Sequence, residues 1–401
     1  MSQLKRIASI CTLVCLSLTT VLQPASGHRS QPLETYHRAW QLVKDNYFDS
    51  NFNGRNWNEF EHKFDGQIKN NQDAYKCIKV MLESLNDPYT RFLDPRAFQD
   101  ENDAIDAHIV GIGINLRQDK EHLIVARTIE DGPAEKAGVR KEDEIVSVDG
   151  INAVGMTPEQ AADHIRGKIG TTVQLTLKTK GQVHGVSITR DQIVIKAVTT
   201  RLLPNNIGYI GLNTFISNNA AEEFKAALHK YANADGLVVD LRDNPGGLLS
   251  NALDISNYLL EGGAIVSTVS RNGRHTQIAD GTPVTRQPMV VLVNDDSASA
   301  SEILASALKD NGRATIVGTK TFGKGLVQEI NRLPGGAAIH ITVSRYLTPS
   351  GADIHKIGVI PDIYVDKKEE VENVATRLLK EKIASLKAPI RTSVNNVAVT
   401  R

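Results

Sequence analysis

The chain has no excess of charge of either sign. Its 46 basic and 46 acidic residues cancel over 401 positions. Without a net field, electrostatics point to neither a nucleic acid nor an anionic membrane surface, and membrane contact is expected to be peripheral at most. Cysteine is scarce too, with Cys11, Cys15 and Cys77 the only three. The first two fall in an N-terminal apolar stretch, so Cys77 stands alone in the rest and no internal disulfide can form. A lone cysteine at an apolar helical position reads as core. With no covalent staple the fold must rest on a hydrophobic core, and a chain 41% hydrophobic and 23% charged can build one. Beyond residue 22 no apolar run is long enough to cross a bilayer. Internal repeats and low-complexity tracts are missing as well.

The N-terminal stretch has a different logic. Lys5 and Arg6 precede apolar residues 7–22, and Pro24, Ala25, Ser26 and Gly27 follow. A basic start, a short apolar centre and small residues at the end describe a secretory signal cut near Gly27. An uncleaved membrane anchor is the other reading, but the stretch is short and rich in Ser and Thr for a span. The chain is therefore expected to be exported, to a periplasm or a thylakoid lumen.

Residues 28–105 read as a helical segment. Leu33, Tyr36, Ala39, Trp40, Val43 and Tyr47 fall at helical spacing, as do Ala74, Cys77, Ile78, Met81, Leu82 and Leu85. Asn71-Gln72-Asp73 offers an N-cap to the second stripe. From residue 106 the period changes. A glycine-punctuated stretch, Gly111-Ile112-Gly113, comes before strands at 123–126 and 143–148, the short helix of Gly132-Pro133-Ala134-Glu135-Lys136-Ala137-Gly138, a helix at 157–165 closed by Arg166-Gly167, and alternating strands at 173–177 and 186–189. In this order the motifs resemble a PDZ domain. Such domains add an extended peptide end as a strand and hold its carboxylate on backbone N–H groups. The resemblance implies that Gly111, Ile112 and Gly113 form that nest. A bare GxG alone reads equally as an ordinary turn.

Residues 191–366 alternate strand and helix, which predicts a mostly parallel sheet with its site at the strand C-termini. Two fully apolar strands, 236–241 and 289–293, read as buried on both faces. The first runs into Arg242-Asp243-Asn244-Pro245-Gly246-Gly247 and the second into Ser297-Ala298-Ser299-Ala300-Ser301, each ahead of a helix. A serine there is either an N-cap or a nucleophile, because the free N–H groups and positive end of a helix would also steady an oxyanion. Further on, Gly318 to Lys324 fits G-x-x-x-x-G-K. Gly325 stands where a P-loop needs Ser or Thr, and 326–330 reads as a strand rather than a helix, so nucleotide binding is excluded. Lys324 is then a surface lysine in a turn or a general base, with Gln328 near enough to orient its amine. Burial would lower its pKa. His275, His340 and His355 come with no motif that would make them the base.

The sequence of LRDNPGG, SASASEI and KTFGKGLVQ behind a PDZ-like domain resembles the carboxyl-terminal processing peptidases, tail-specific serine proteases with a Ser-Lys dyad. Coverage runs from about Tyr36 to Asp366. NFNGRNW and LNDPYTRFL are similar to the cyanobacterial and chloroplast-type branch. The resemblance implies Ser299 as nucleophile, Lys324 as base, Gln328 as its partner, and oxyanion donors at Ala300 and an NPGG glycine, Gly246. Ser297 and Ser301 are left with structural roles. It also implies substrates with unstructured apolar C-termini, a possible sensor of bound peptide at Arg166, and no cofactor or catalytic metal. The implied architecture is α/β (α+β) and multidomain: signal 1–27, helical segment 28–105, PDZ-like β/α domain 106–190, a ClpP/crotonase-like mixed-sheet protease core 191–366 and a helical tail 367–401. A non-catalytic peptide-binding scaffold of the same fold is the alternative.

Overall fold

A computed structural model describes residues 31–129, 131–194 and 196–387. The expected leader, residues 1–27, lies outside them. Among the described residues, no helix is long and apolar enough to cross a membrane.

The N-terminal layer contains helices α1 (Gln31–Asn46) and α2 (Asn71–Glu83), strand β1 (Arg91–Leu93) and helix α3 (Pro95–Ile105). Tyr36, Ala39, Trp40 and Val43 of α1 pack on Ala74, Ile78, Met81 and Leu82 of α2, the stripes read from the sequence. Two details differ. Asn70, not residues 71–73, caps α2, its side chain accepting from the Asp73 N–H at 3.0 Å. Residues 47–70 are not a regular helix but short 3-10 turns around Trp57, whose indole donates to Trp40 O while the Trp40 indole donates to Trp57 O. The layer is also not a separate segment, since its apolar cluster includes Leu333, Ala337, Ile339 and Ile341 of the strand–helix region that follows.

The PDZ-like domain runs through β2 (His108–Gly111), β3 (Ile114–Asp119), β4 (His122–Thr128), α4 (Pro133–Lys136), β5 (Glu144–Val148), β6 (Ile151–Asn152), α5 (Pro158–Ile165), β7 (Thr172–Thr179), β8 (Gln182–Thr189) and β9 (Asp191–Val194). Antiparallel strands β3-β4-β5-β7-β8 enclose Leu123, Val125, Ile145, Val148, Val173 and Leu175. Thr157 and Gln160 form a reciprocal capping box that starts α5. Buried Arg190 ends it, donating to Ile165 O at 2.6 Å and to Thr172 O at 3.0 Å.

The core follows with β10 (Val198–Leu203), β11 (Ile207–Leu212), α6 (Ala220–Lys230), β12 (Gly236–Asp240), α7 (Leu249–Leu259), β13 (Ala264–Ser270), β14 (Gly273–Ile278), β15 (Met289–Val293), α8 (Ala300–Asp310), β16 (Thr315–Gly318), β17 (Leu326–Arg332), β18 (Ala338–Leu347), β19 (Ile363–Tyr364) and α9 (Val371–Lys387). One sheet has the order β10-β11-β12-β15-β16-β19, parallel from β11 to β19, and β12 and β15 are buried along their whole length. Helices α6, α7 and α8 cover one face. The charged tail helix α9 is not an appendage. Its Val371, Ala375 and Leu379 sit at i, i+4 and i+8 and close the other face over Val238, Val290, Leu292 and Val317. A second, antiparallel sheet, β1-β18-β13-β14 with β17 on β18, was not legible as a unit, because β1 reaches it from the N-terminal layer.

Candidate active site

Adjacent parallel strands β12 and β15 deliver two strand-to-helix turns to one place. Ser297 Oγ donates to Leu241 O at 2.7 Å and Ser301 Oγ to Asn244 O at 2.9 Å, so the outer serines staple one turn to the other. The Asn244 amide in turn donates to Leu212 O at 2.6 Å. Ser299, between them, holds φ 55° and ψ −114°. Non-glycine residues rarely adopt such angles, which cost about 1–3 kcal/mol and persist only where the surroundings enforce them. Here the enforcement is visible: the Ser299 N–H donates to Glu302 Oε2 at 2.9 Å, and its carbonyl accepts from Ile303 N–H at 3.0 Å and from the Tyr346 hydroxyl at 3.2 Å. Ala300 opens α8, where amides have no partner within the helix.

Gly246 lies against this turn at φ 97°, and a Cβ there would come within 2.9 Å of Ala300 N and Ser299 Cβ. Only glycine fits. Its N–H, however, donates to Asn244 Oδ1 at 2.9 Å. The expectation that Gly246 supplies the second oxyanion donor therefore does not match the structure, where that amide is occupied. In the bridge between Phe215 and Gly247, Gly246 offers its carbonyl to Phe215 and Leu248 its N–H, which directs the intervening Gly247 N–H away from Phe215.

Lys324 is tied to the same hub. Glu302 is fully buried, and four donors converge on its carboxylate: the N–H groups of Ser299, Gly323 and Lys324 and the hydroxyl of Thr321. Tyr346 completes the clamp by donating to Lys324 O at 2.6 Å as well as to Ser299 O. Burial pushes the Tyr346 phenol well above its ordinary pKa, so it remains a donor. Burial, followed by the charge of Arg91, holds the Lys324 ammonium below its ordinary pKa, against opposing contributions from Asp87, Glu101 and Glu302. Its Nζ lies 5.0 Å over the Tyr89 ring. Among the described residues, no hydrogen bond joins Ser299 Oγ to Lys324 Nζ. None joins Gln328 to Lys324 either, since the Gln328 amide donates to Thr342 Oγ1 at 3.4 Å, next to a bulge in the β17–β18 pairing.

Ser299, Ala300, Gly246, Gly247, Lys324 and Gln328 all line one cavity of about 640 Å³. Its lining also includes Arg91 and Glu101, which sequence reasoning missed, and His340, which it had set aside as a base. His340 Nε2 is 3.0 Å from Glu101 Oε1, and Arg91 is 3.6 Å from Glu101 Oε2. Burial alone would raise the Glu101 carboxyl, but the His340 hydrogen bond and the neighbouring cations hold it below its ordinary pKa. A second cavity, of about 630 Å³, shares Thr214, Ile216 and Pro245 with the first and reaches Asn115, Arg127 and Ile129 of the PDZ-like domain.

In the PDZ-like domain, β3 pairs with β4 on one side and has α5 beside it. Gly111 belongs to the β2–β9 ribbon, paired with Asp191, while Gly113 takes φ 78°. The carbonyls of Ile112 and Gly113 accept from Ala134 and Ile129. Arg166 is not at this loop. It caps the far end of α5 and pairs with Asp100 of α3 at 3.2 Å. Glu302 could have been read from the sequence, because a Ser followed three residues later by Glu is a capping-box pattern. Nothing local marks Tyr346, which comes from a distant strand.

Residues 206–365 match Peptidase family S41, and residues 104–178 match the PDZ domain. A carboxyl-terminal-processing protease of Picosynechococcus is 42% identical over 342 residues, 82% of each chain. Carboxyl-terminal-processing peptidase 3, chloroplastic, of Arabidopsis thaliana is 35% identical over 374 residues, 86% of this chain and 71% of that protein. Among solved structures, a photosystem II D1 C-terminal processing protease superposes with a TM-score of 0.62 at 33% identity, covering 86% of this chain and 98% of that one. This chain belongs to the carboxyl-terminal-processing serine proteases of peptidase family S41, with a PDZ domain ahead of the peptidase core.

Proposed function

We propose that Ser299 is the nucleophile and Lys324 the general base of an endopeptidase that cuts near the C-terminus of protein substrates. The observation that carries this reading is the convergence of a strained serine, a lysine with depressed pKa and two glycine-rich turns on one cavity. Ser299 Oγ attacks the scissile carbonyl carbon and its proton passes to Lys324 Nζ. The oxyanion meets the Ala300 N–H and, given the occupied Gly246 amide, the Gly247 N–H. As the C–N bond breaks, Lys324 returns the proton to the departing amine. Water then hydrolyses the acyl-enzyme by the same route in reverse. The open Ser299–Lys324 geometry suits a resting site that tightens once peptide is bound, with Gln328 turning from Thr342 to the lysine amine.

The substrate class is a protein with an unstructured, apolar C-terminal tail. The tail would add along the β3 edge beside α5, its carboxylate meeting the Gly111–Gly113 loop, and the upstream chain would follow the shared cavity wall at Thr214 and Ile216 to Ser299. C-terminal processing of the kind named for the D1 protease is processing of that class. The pattern at residues 5–27 supports export to a periplasm or thylakoid lumen. The test is a peptide with a free apolar C-terminus given to the wild type, Ser299→Ala and Lys324→Ala, with products read by mass spectrometry. Cleavage by wild type alone supports the dyad; equal cleavage by either variant removes it.

Arg166 is proposed to carry the state of the PDZ domain to the site, because its partner Asp100 adjoins Glu101 on α3. Arg166→Ala is expected to lower turnover of tail peptides, and unchanged turnover would end that role. The pH profile tests the base. Activity should rise as Lys324 loses its proton, on a limb below the ordinary lysine range. Arg91→Gln removes a cation that favours the neutral amine, so the limb moves to higher pH. Glu101→Gln removes an anion that favours the ammonium, so it moves lower. Profiles of kcat/KM that shift in the same direction, or not at all, would contradict the assignment.

A further inference from the structure

Away from the catalytic cavity, three side chains with metal-binding chemistry meet at the N-terminal layer. His37 sits on α1, while His62 and Asp65 follow the 3-10 turn Trp57–Phe60. His37 Nε2 is 3.0 Å from Asp65 Oδ1, and His62 Nδ1 is 2.9 Å from Asp65 Oδ2. The two imidazole centroids are 5.1 Å apart, and one ligand atom from each of the three residues lies within 4.8 Å of the others. The spacing of His37 Nε2 and Asp65 Oδ1 is the informative distance. Zinc bonds of about 2.0–2.2 Å to such a nitrogen and oxygen would leave them about 3 Å apart.

We propose that His37, His62 and Asp65 bind a divalent transition cation, zinc best of all, with water completing the shell. Two imidazoles and a carboxylate suit zinc, whereas calcium and magnesium favour all-oxygen sites. Glu34 and Glu61 line the adjoining hollow and add negative charge, partly balanced there by Arg38 and Arg332. The bond would tie the irregular residues 47–70 to α1, a covalent-like link in a layer that no disulfide can brace. It plays no part in peptide cleavage, since none of its ligands lines the catalytic cavity.

The test uses the whole chain, freed of any affinity tag and treated with chelator. Isothermal titration with zinc chloride should show one equivalent bound by the wild type, weakened at least tenfold in both His62→Ala and Asp65→Asn. His62 is exposed, so His62→Ala should keep the apo fold and its peptidase activity. Zinc should raise the melting temperature of the wild type and not that of His62→Ala. Absence of stoichiometric binding at micromolar zinc overturns the proposal, and so does binding that survives in both variants, which would place the metal elsewhere.

Discussion

Lys324→Ala should lower kcat/KM on a tail peptide by about 10⁴-fold or more, and Ser299→Ala by at least as much. The two residues act as one unit, so the double variant should be no slower than the worse single one. The loss should appear without unfolding. Lys324 enters the Glu302 network through its backbone N–H, which alanine keeps, and Ser299 does so likewise. Melting temperatures near that of the wild type are therefore expected for both. Ser299→Gly separates chemistry from strain. It should be as inactive as Ser299→Ala but more stable than it by about 1 kcal/mol, because glycine occupies φ 55° without the penalty that a Cβ brings. An equally stable pair would mean that the turn carries no strain. Cleavage by Lys324→Ala at the wild-type rate would remove the lysine from the mechanism.

Glu302→Ala is the second large effect, and it should act on the fold and the site together. It strands the Ser299, Gly323 and Lys324 amides and the Thr321 hydroxyl in a buried region. Each buried donor left without a partner costs about 1–3 kcal/mol. Glu302→Gln keeps the volume but turns an NH₂ towards some of those donors, so it should recover little of the stability. Both variants should lose activity even where enough folded protein remains, because the same carboxylate fixes the Ser299 and Lys324 backbones relative to each other. Urea unfolding and kcat/KM measured on the folded fraction would check this. A Glu302→Gln chain with wild-type stability and turnover would show that the hub is dispensable.

Much of the site was legible because its parts are local. The apolar runs of β12, up to Asp240, and of β15 announced buried parallel strands, and a glycine turn and a serine run at their ends announced where chemistry could sit. The failed P-loop was decided by a single residue, Gly325. What could not be read depends on contacts between distant segments. Which NPGG amide is free follows from the Asn244 side chain folding back on Gly246. The role of Tyr346 requires β18 to pass beneath both carbonyls. Arg91 and Glu101 reach the cavity only because β1 joins a core sheet. The tail helix was read by its charged face, while three small apolar positions decided where it packs.

The two turns at the cavity rise from neighbouring strands, and this places the proposed nucleophile, Ser299, and the proposed donor from the other turn, Gly247, about one inter-strand step of 4.8 Å apart. That spacing is a property of the sheet ladder and not of the chain between the turns. The exposed β13–β14 hairpin end can therefore vary in length while that spacing stays put, whereas α7 and the start of β13 are held by the core.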